Sequence, residues 1–262
     1  MDPALRAAAT GMMAQQTRTE IIANNLANVS TTGFKRSRAH FEDLLYQTVR
    51  GPAVIGGPAA NVLPAVQIGR GTHLAAVQRN HEQGNLEMTG NNLDVAIEGE
   101  GFFQVQLPNG QVAFTRDGKF QLSDDGMIVN ANGNPLVPQL RIPNDATAIS
   151  IGQTGIVSVQ RQGGAVPEEL GRIELARFPN PAGLFAMGEN LYGATPASGE
   201  PFTGFPQDEG MGKLMQGALE GSNVEVVTEM VDMITTMRAY ELTSKAIRTS
   251  DDMQQIANGL VR

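Results

Sequence analysis

Cysteine and tryptophan are missing from the 262 residues, histidine occurs three times, and aromatic residues make up only 5%. Without cysteine there is no disulfide, no thiol nucleophile and no thiolate-bound zinc. The redox compartment stays open, because exported and cytosolic proteins can both lack cysteine. Cations are also short: 19 Lys and Arg against 27 Asp and Glu give a formal charge of −8. That balance argues against nucleic acid as a partner, since phosphate neutralisation needs clustered Lys and Arg. No run of 18 apolar residues exists, so no membrane-spanning helix is expected. Met1-Asp2-Pro3 begins neither a basic segment nor an apolar stretch, so no Sec signal peptide is expected.

What is present is unevenly distributed. Residues 1–50 hold two glycines and 222–262 hold one; the other 27 lie between. Apart from Pro3, every proline falls between Pro52 and Pro206. Both residues break helices, glycine through backbone entropy and proline through its ring and missing N–H. The chain therefore reads helix, turn-rich β, helix. The ends carry +2 and −2, and the middle carries the whole −8. The length is enough for one large domain or two to three small ones with a real core.

At the N-terminus the spacing predicts a helix from about Pro3 to Val29. Leu5, Met12, Thr19 and Leu26 recur every seven residues, and Ala8, Gln15, Ile22 and Val29 follow each by three. This is a heptad-like seam, imperfect at Gln15 and Thr19. At the other end, Ser222-Asn223-Val224-Glu225 fits a capping box in which Ser222 and Glu225 serve orphan amides. Beyond it Val226, Met230, Met233, Met237, Tyr240 and Ile247 form one stripe. Leu242, Ala246, Met253, Ile256 and Leu260 form a second. Apolar residues on two faces imply more than one packing partner. The N-terminal helix, rich in Ala, Thr, Asn and Gln, gains most of its stability from such contacts. The ends are therefore expected to pair with each other, coiled-coil-like, and with neighbouring copies. The inter-subunit set is Leu5, Met12, Ile22, Leu26, Val29, Val226, Met230, Met233, Met237, Tyr240, Ile247, Met253, Ile256 and Leu260.

Between the helices, short alternating runs are bounded by turn residues. Phe102–Gln106 and Val112–Thr115 flank Pro108-Asn109-Gly110 as a hairpin, and Phe120–Leu122 and Met127–Val129 flank Asp124-Asp125-Gly126 as a second. Ile156–Val159 and Ile173–Ala176, joined through Gly163-Gly164, make a third. The expected fold class is α+β, with a central antiparallel β domain of sandwich or barrel type. Residues 36–49, with Phe41, Leu44, Leu45 and Val49, suit a short helix or a strand, and 51–64 reads as a loop or extended connector.

Chemistry-bearing patterns are nearly absent. His81-Glu82 has no second histidine at zincin spacing, and His40, His73 and His81 are far apart. There is no G-x-S-x-G nucleophile elbow. Gly99-Glu100-Gly101 lacks any nucleotide-binding continuation and reads as a turn. Asp94, Glu98 and Glu100 could supply a glycosidase pair, but such a pair usually needs an aromatic-lined cleft. The turns around Asp117, Asp124, Asp125 and Asn130 miss EF-hand spacing. Lys35-Arg36-Arg38 reads as a solvated or intersubunit charge patch. No catalytic, cofactor-binding or metal residue is assigned.

The run Ile22-Ala23-Asn24-Asn25-Leu26-Ala27-Asn28-Val29-Ser30-Thr31-Thr32-Gly33-Phe34-Lys35 closely resembles the signature of bacterial flagellar rod and hook proteins. Gln83-Gly84-Asn85-Leu86 and Thr89 through Phe103 resemble their central signature. Thr115–Phe120, Phe178–Leu184 and Asn190-Leu191-Tyr192 extend the match, and Leu219–Val224 with Arg238-Ala239-Tyr240-Glu241 closes it. The resemblance spans essentially the whole chain. Its length and opening MDPALRAAATGMMAQQ are most similar to the distal-rod members, and Met237 departs from the Gln usual in the family.

The resemblance implies a structural subunit exported through the flagellar type III apparatus without a Sec signal. It implies self-assembly into a hollow helical tube, the rod of the basal body. That rod crosses the periplasm into the outer-membrane ring region and carries torque to the hook. Implied partners are further copies, proximal rod and hook or junction proteins, the surrounding rings and the export apparatus, with no cofactor. The helical core, 1–34 and 222–262, would form the inner wall. Segments 35–70 and 207–221 would connect it to an outer β domain, 71–206. Asn24, Asn25, Asn28, Thr32, Gly33 and Lys35 would form the signature turn, and Gly33 and Gly90 are expected at positive φ. Proximal rod or hook subunits are the alternatives within the family. From another class, the alternative is a secreted carbohydrate-active enzyme using Asp94, Glu98 and Glu100.

Overall fold

The computed structural model describes residues 3–51, 53–55, 61–63, 65–143, 145–161, 166–208 and 210–260. The side chain of Leu260, the Gly163-Gly164 loop and much of the 51–64 connector lie outside the described residues. The architecture is α+β: an N-terminal helix, a C-terminal helix and antiparallel β structure between them. The chain divides into two compact units.

Unit one comprises Met1–Leu26, Ser37–Gln78 and Glu225–Arg262. Its helices are α1 (Pro3–Ala27) and α2 (Val226–Leu260). Along α1 the heptad positions Leu5, Ala8, Met12, Gln15, Thr19, Ile22 and Leu26 are buried or half-buried, as are Ala7, Thr10, Ala14, Thr17, Ile21 and Asn25, while Met13, Gln16, Arg18 and Glu20 are exposed. The helix stops at Ala27, so Val29 lies in the turn beyond it. α1 and α2 run antiparallel at three points. Gly11 lies beside Thr243, Arg18 pairs with Asp232 at 3.6 Å, and Asn25 Nδ2 donates to Glu229 Oε2 at 3.2 Å.

On α2 the residues most hidden within the chain are polar: Glu229 and Thr236 are each 1% exposed. Many of the long apolar side chains point outward instead, with Met233 and Ile247 half-buried. Met230, Ile234, Met237, Leu242, Met253 and Ile256 are all more than half exposed. The helix begins at Val226, so the expected capping box is corrected. Ser222 Oγ accepts from Val224 N at 3.3 Å, short of the helix, and Glu225 takes the cap position. There its carbonyl accepts from Glu229 N at 3.0 Å and its carboxylate from Thr228 Oγ1 at 2.8 Å. Asn223, which would have been the first helical residue, is held elsewhere.

The ambiguous segment 36–49 is β. Strand Ser37–Asp43 pairs with Thr72–Arg79, and Gln47–Arg50 pairs antiparallel with Val66–Ile68. Within the connector, Ala53–Ile55 pairs antiparallel with Asn61–Leu63. The reason lies in the alternation: Ser37, Ala39 and Phe41 are sheltered, while Arg38, His40 and Glu42 are exposed, a period of two.

Unit two comprises Ala27–Arg36 and Arg79–Val224. These boundaries differ from those expected at 34, 70, 206 and 221, because the signature turn folds with the β structure. The main sheet has six antiparallel strands in the order Phe185–Gly188, Leu191–Gly193, Val112–Thr115, Phe102–Gln106, Leu175–Arg177 and Phe202–Gly204. Both turn-defined hairpins form: Phe102–Gln106 with Val112–Thr115, and Phe120–Leu122 with Ile128–Asn130. The third does not. Ile156–Arg161 sits between Ala146–Ile151 and Glu168–Arg172, while Leu175–Arg177 crosses to pair with Phe102 and Phe103. Glu168–Arg172 (EELGR) has too little β-branched or aromatic character to announce itself as a strand.

Two apolar clusters fill unit two. The larger gathers Val95, Ile97, Phe103, Val105, Leu136, Val157, Ile173, Leu175 and Leu214, all at most 1% exposed. The smaller holds Phe102, Phe114, Phe178 and Tyr192, where Phe114 meets Phe178 edge-to-face at 4.8 Å.

Candidate functional site

The signature segments scattered along the chain converge in unit two on one buried carboxylate, that of Glu220. The turn after α1 places Lys35 inward, with its side chain 0% exposed. Lys35 Nζ donates to Glu220 Oε1 at 2.6 Å and to the Glu82 carbonyl at 2.6 Å. Arg116 Nη1 donates to Glu220 Oε2 at 3.3 Å, and Nη2 to the Gly99 carbonyl at 2.8 Å. Gly84 N donates to Glu220 Oε1 at 2.9 Å. One carboxylate thus receives two cations and a backbone amide.

Backbone contacts bind the same segments. Gly33 N donates to the Glu220 carbonyl at 2.8 Å, and Gly221 N to the Asn85 carbonyl at 2.7 Å. Thr32 Oγ1 reaches Asp117 Oδ1 at 2.9 Å, and Asn190 Nδ2 donates to the Thr32 carbonyl at 3.0 Å. Asn223 accepts from Arg36 N at 2.7 Å and donates to the Asn80 and Glu82 carbonyls at 2.9 and 3.0 Å. Gly33 has φ +67°, and a Cβ there would lie 2.7 Å from Asp117 N. Gly90 also has positive φ, +73°. In unit one, Asn25 clasps the Ser37 backbone, donating to its carbonyl and accepting from its amide, both at 2.9 Å.

Burial is the main cause pulling the Lys35 ammonium and the Arg116 guanidinium below their ordinary pKa values, opposed by Glu220. His81 stands beside them, edge-on to Phe102 at 5.7 Å and Tyr192 at 5.4 Å. Burial first, then Lys35, Arg116 and Arg79, lower its pKa from 6.5 to about 4. The unfolded chain therefore takes up a proton near pH 6.5 that the fold refuses until about pH 4. Stability contributed by the neutral ring is full above pH 6.5 and falls with pH across that window, by about 3 kcal/mol at its acid end. Urea unfolding at pH 7 and pH 4.5 checks this. His81→Phe is expected to lose markedly less stability than the parent, and equal losses would reject the assignment.

The other sequence-based candidates fall as follows. The charge-patch reading of Lys35-Arg36-Arg38 is corrected: Lys35 is fully buried, Arg36 half-buried, and Arg38 alone exposed. His40 and His73 are exposed in unit one. Asp94 is buried and accepts from Thr89 Oγ1 at 2.6 Å and Asn91 Nδ2 at 3.1 Å. Glu98 pairs with Lys213 at 3.0 Å, and Glu100 with Arg177 at 2.9 Å. Burial raises the pKa of Asp117. Among the described residues no group of three or more His, Asp or Glu could hold a metal ion. No described helix is long and apolar enough to cross a membrane. Of the inter-subunit set, Ile22 is buried; Leu5, Met12, Leu26, Val29, Met233 and Ile247 are half-buried; Val226, Met230, Met237, Tyr240, Met253 and Ile256 are exposed. Asn24 is exposed, and Asn28 and Thr32 are half-buried. Sequence reasoning assigned no role to Glu220 or Arg116; the one signal for Glu220 is that it is the lone charge of Leu219–Val224, whereas Arg116 shares its motif with Asp117 and Lys119.

Comparison with known proteins fits this convergence. Residues 5–35 match the family described as flagella basal body rod protein. Residues 96–159 match the flagellar hook protein FlgE/F/G D1 domain, and 215–260 match the flagellar basal body rod FlgEFG protein C-terminal region. The chain is 50% identical to the flagellar basal-body rod protein FlgG of Borreliella burgdorferi, over 99% of this chain and 98% of that protein. It is 49% identical to FlgG of Buchnera aphidicola subsp. Acyrthosiphon pisum, over 97% and 98%. Identity to the flagellar basal-body rod protein FlgF of Caulobacter vibrioides is 35%, over 98% and 97%.

Proposed function

The chain belongs to the flagellar basal-body rod protein family, and on that premise we propose that it is the building unit of the distal rod. Copies self-assemble into a hollow helical drive shaft, with the two helices, packed coiled-coil-like, as its inner wall. The shaft crosses the periplasm and transmits motor torque to the hook. Proximal rod subunits meet it at one end and hook or junction subunits at the other, the basal-body rings surround it, and the type III apparatus exports it. The role is mechanical and needs no catalytic residue. In keeping with this, Asp94 is held by a turn hydrogen bond, and Glu98 and Glu100 are each engaged in an ion pair.

The observation that carries the proposal is the outward apolar surface of α2. A helix that hides Glu229 and Thr236 within its own chain and exposes Met230, Ile234, Met237 and Ile256 lacks a cover for its apolar side. A tube of identical subunits supplies one through repeated heterologous contacts. Met237→Asp tests it. Met237 is 53% exposed, so the monomer should keep its stability within about 0.5 kcal/mol. Assembly should fail, because a buried, unpaired carboxylate is costly. Tubes of normal length in electron micrographs of this variant would reject the packing.

A further inference from the structure

We propose that the outward methionines of α1 and α2 form an oxidation-sensitive site whose sulfoxidation blocks addition of the subunit to the tube. The inference rests on the assembly reading above and extends it to a modification.

Four sulfurs matter. Met13 on α1 is 69% exposed, and Met230, Met237 and Met253 on α2 are 52%, 53% and 61% exposed. All four belong to unit one. They are accessible in the free chain and become buried when copies pack. The sequence has no cysteine and no tryptophan, so methionine is its principal target for two-electron oxidants such as hydrogen peroxide or hypochlorous acid.

With peroxide, a thioether lone pair attacks one oxygen and the S–O bond forms as the O–O bond breaks. The sulfur is oxidised by two electrons, and the departing hydroxide takes up the proton of the sulfur-bound hydroxyl and leaves as water. The product is a polar, chiral sulfoxide where an apolar, adaptable side chain was needed. Buried without a hydrogen-bond donor, each such oxygen raises the critical concentration for assembly by about tenfold or more. Subunits already in the tube have these sulfurs covered, so the block acts on monomers in transit and not on the finished shaft.

The test compares the parent chain with a Met13→Leu, Met230→Leu, Met237→Leu, Met253→Leu variant, which conserves volume and helix propensity. Both monomers are treated with hydrogen peroxide, and oxygen uptake is mapped by peptide mass. Met88 and Met187 in unit two, 75% and 46% exposed, report equal dosing. The parent is expected to lose assembly and to recover it with methionine sulfoxide reductase; the Leu variant is expected to assemble before and after oxidation. Normal assembly of a parent oxidised at all four sites overturns the inference, as does equal loss in the Leu variant. The Met237→Asp variant separates the two levels. If it fails to assemble while the oxidised parent assembles, only the oxidation site is wrong; if it assembles, the packing beneath both is wrong.

Discussion

Glu220→Ala should lower the stability of unit two by about 3–5 kcal/mol, as removal of one member of a buried ion cluster does. The side chains of Lys35 and Arg116 are 0% and 5% exposed, so neither can turn to water when the carboxylate is gone. The variant would leave two cations and the Gly84 amide without their shared acceptor. Glu220→Gln keeps the shape and one acceptor but not the charge, so an intermediate loss is expected. A joint Lys35→Met, Arg116→Met, Glu220→Met replacement should recover much of the loss, because it leaves no buried charge uncompensated. Urea unfolding of the four proteins decides it. A loss below 1 kcal/mol for Glu220→Ala would mean that the carboxylate is not the shared partner of the two cations.

Gly33→Val combines two penalties at one position. A β-branched residue at φ +67° is strained by about 1–3 kcal/mol. In addition, the new Cβ would stand 2.7 Å from Asp117 N and 2.9 Å from Arg116 C, both backbone atoms that cannot swing aside. Together these should cost more than 3 kcal/mol. The damage should appear in unit two and not only in assembly, because Gly33 N also donates to the Glu220 carbonyl. Gly90→Ala is the internal control: φ is +73°, yet nothing lies within 4 Å of a Cβ there. It should cost about 1 kcal/mol. Equal thermal shifts for Gly33→Val and Gly90→Ala would remove the steric half of the argument.

Local patterns were legible where a single element carries its own signal. The seven-residue spacing from Leu5 to Leu26 picks out only part of the sheltered side of α1, whose most buried described residue is Asn25, and the turns at Pro108–Gly110 and Asp124–Gly126 mark two hairpins. Strand Glu168–Arg172 was not, because its stability comes from the Ile156–Arg161 neighbour rather than from its own residues. The α2 start lies three residues beyond the one its capping pattern indicates: Asn223 and Ser222 have stronger claims on them than the helix does. The apolar stripe on α2 was visible, but periodicity alone does not reveal that the chain packs the polar side of this helix inward. The Glu220 cluster is a long-range fact. Lys35 and Arg116 lie in separate motifs, and nothing local in either points to a shared carboxylate.

The Lys35–Glu220 contact joins residues 185 apart, and Arg116–Glu220 joins residues 104 apart. A chain made or threaded from its N-terminus therefore presents the signature turn long before its partner exists. Until residue 220 is available, Lys35 stays in water and the turn has no buried anion to close on. Closure of the cluster is thus a late event of high sequence separation, slow compared with formation of α1 or of either hairpin. The glutamate acts as a checkpoint: only a chain that extends past residue 220 can lock the signature turn into its unit.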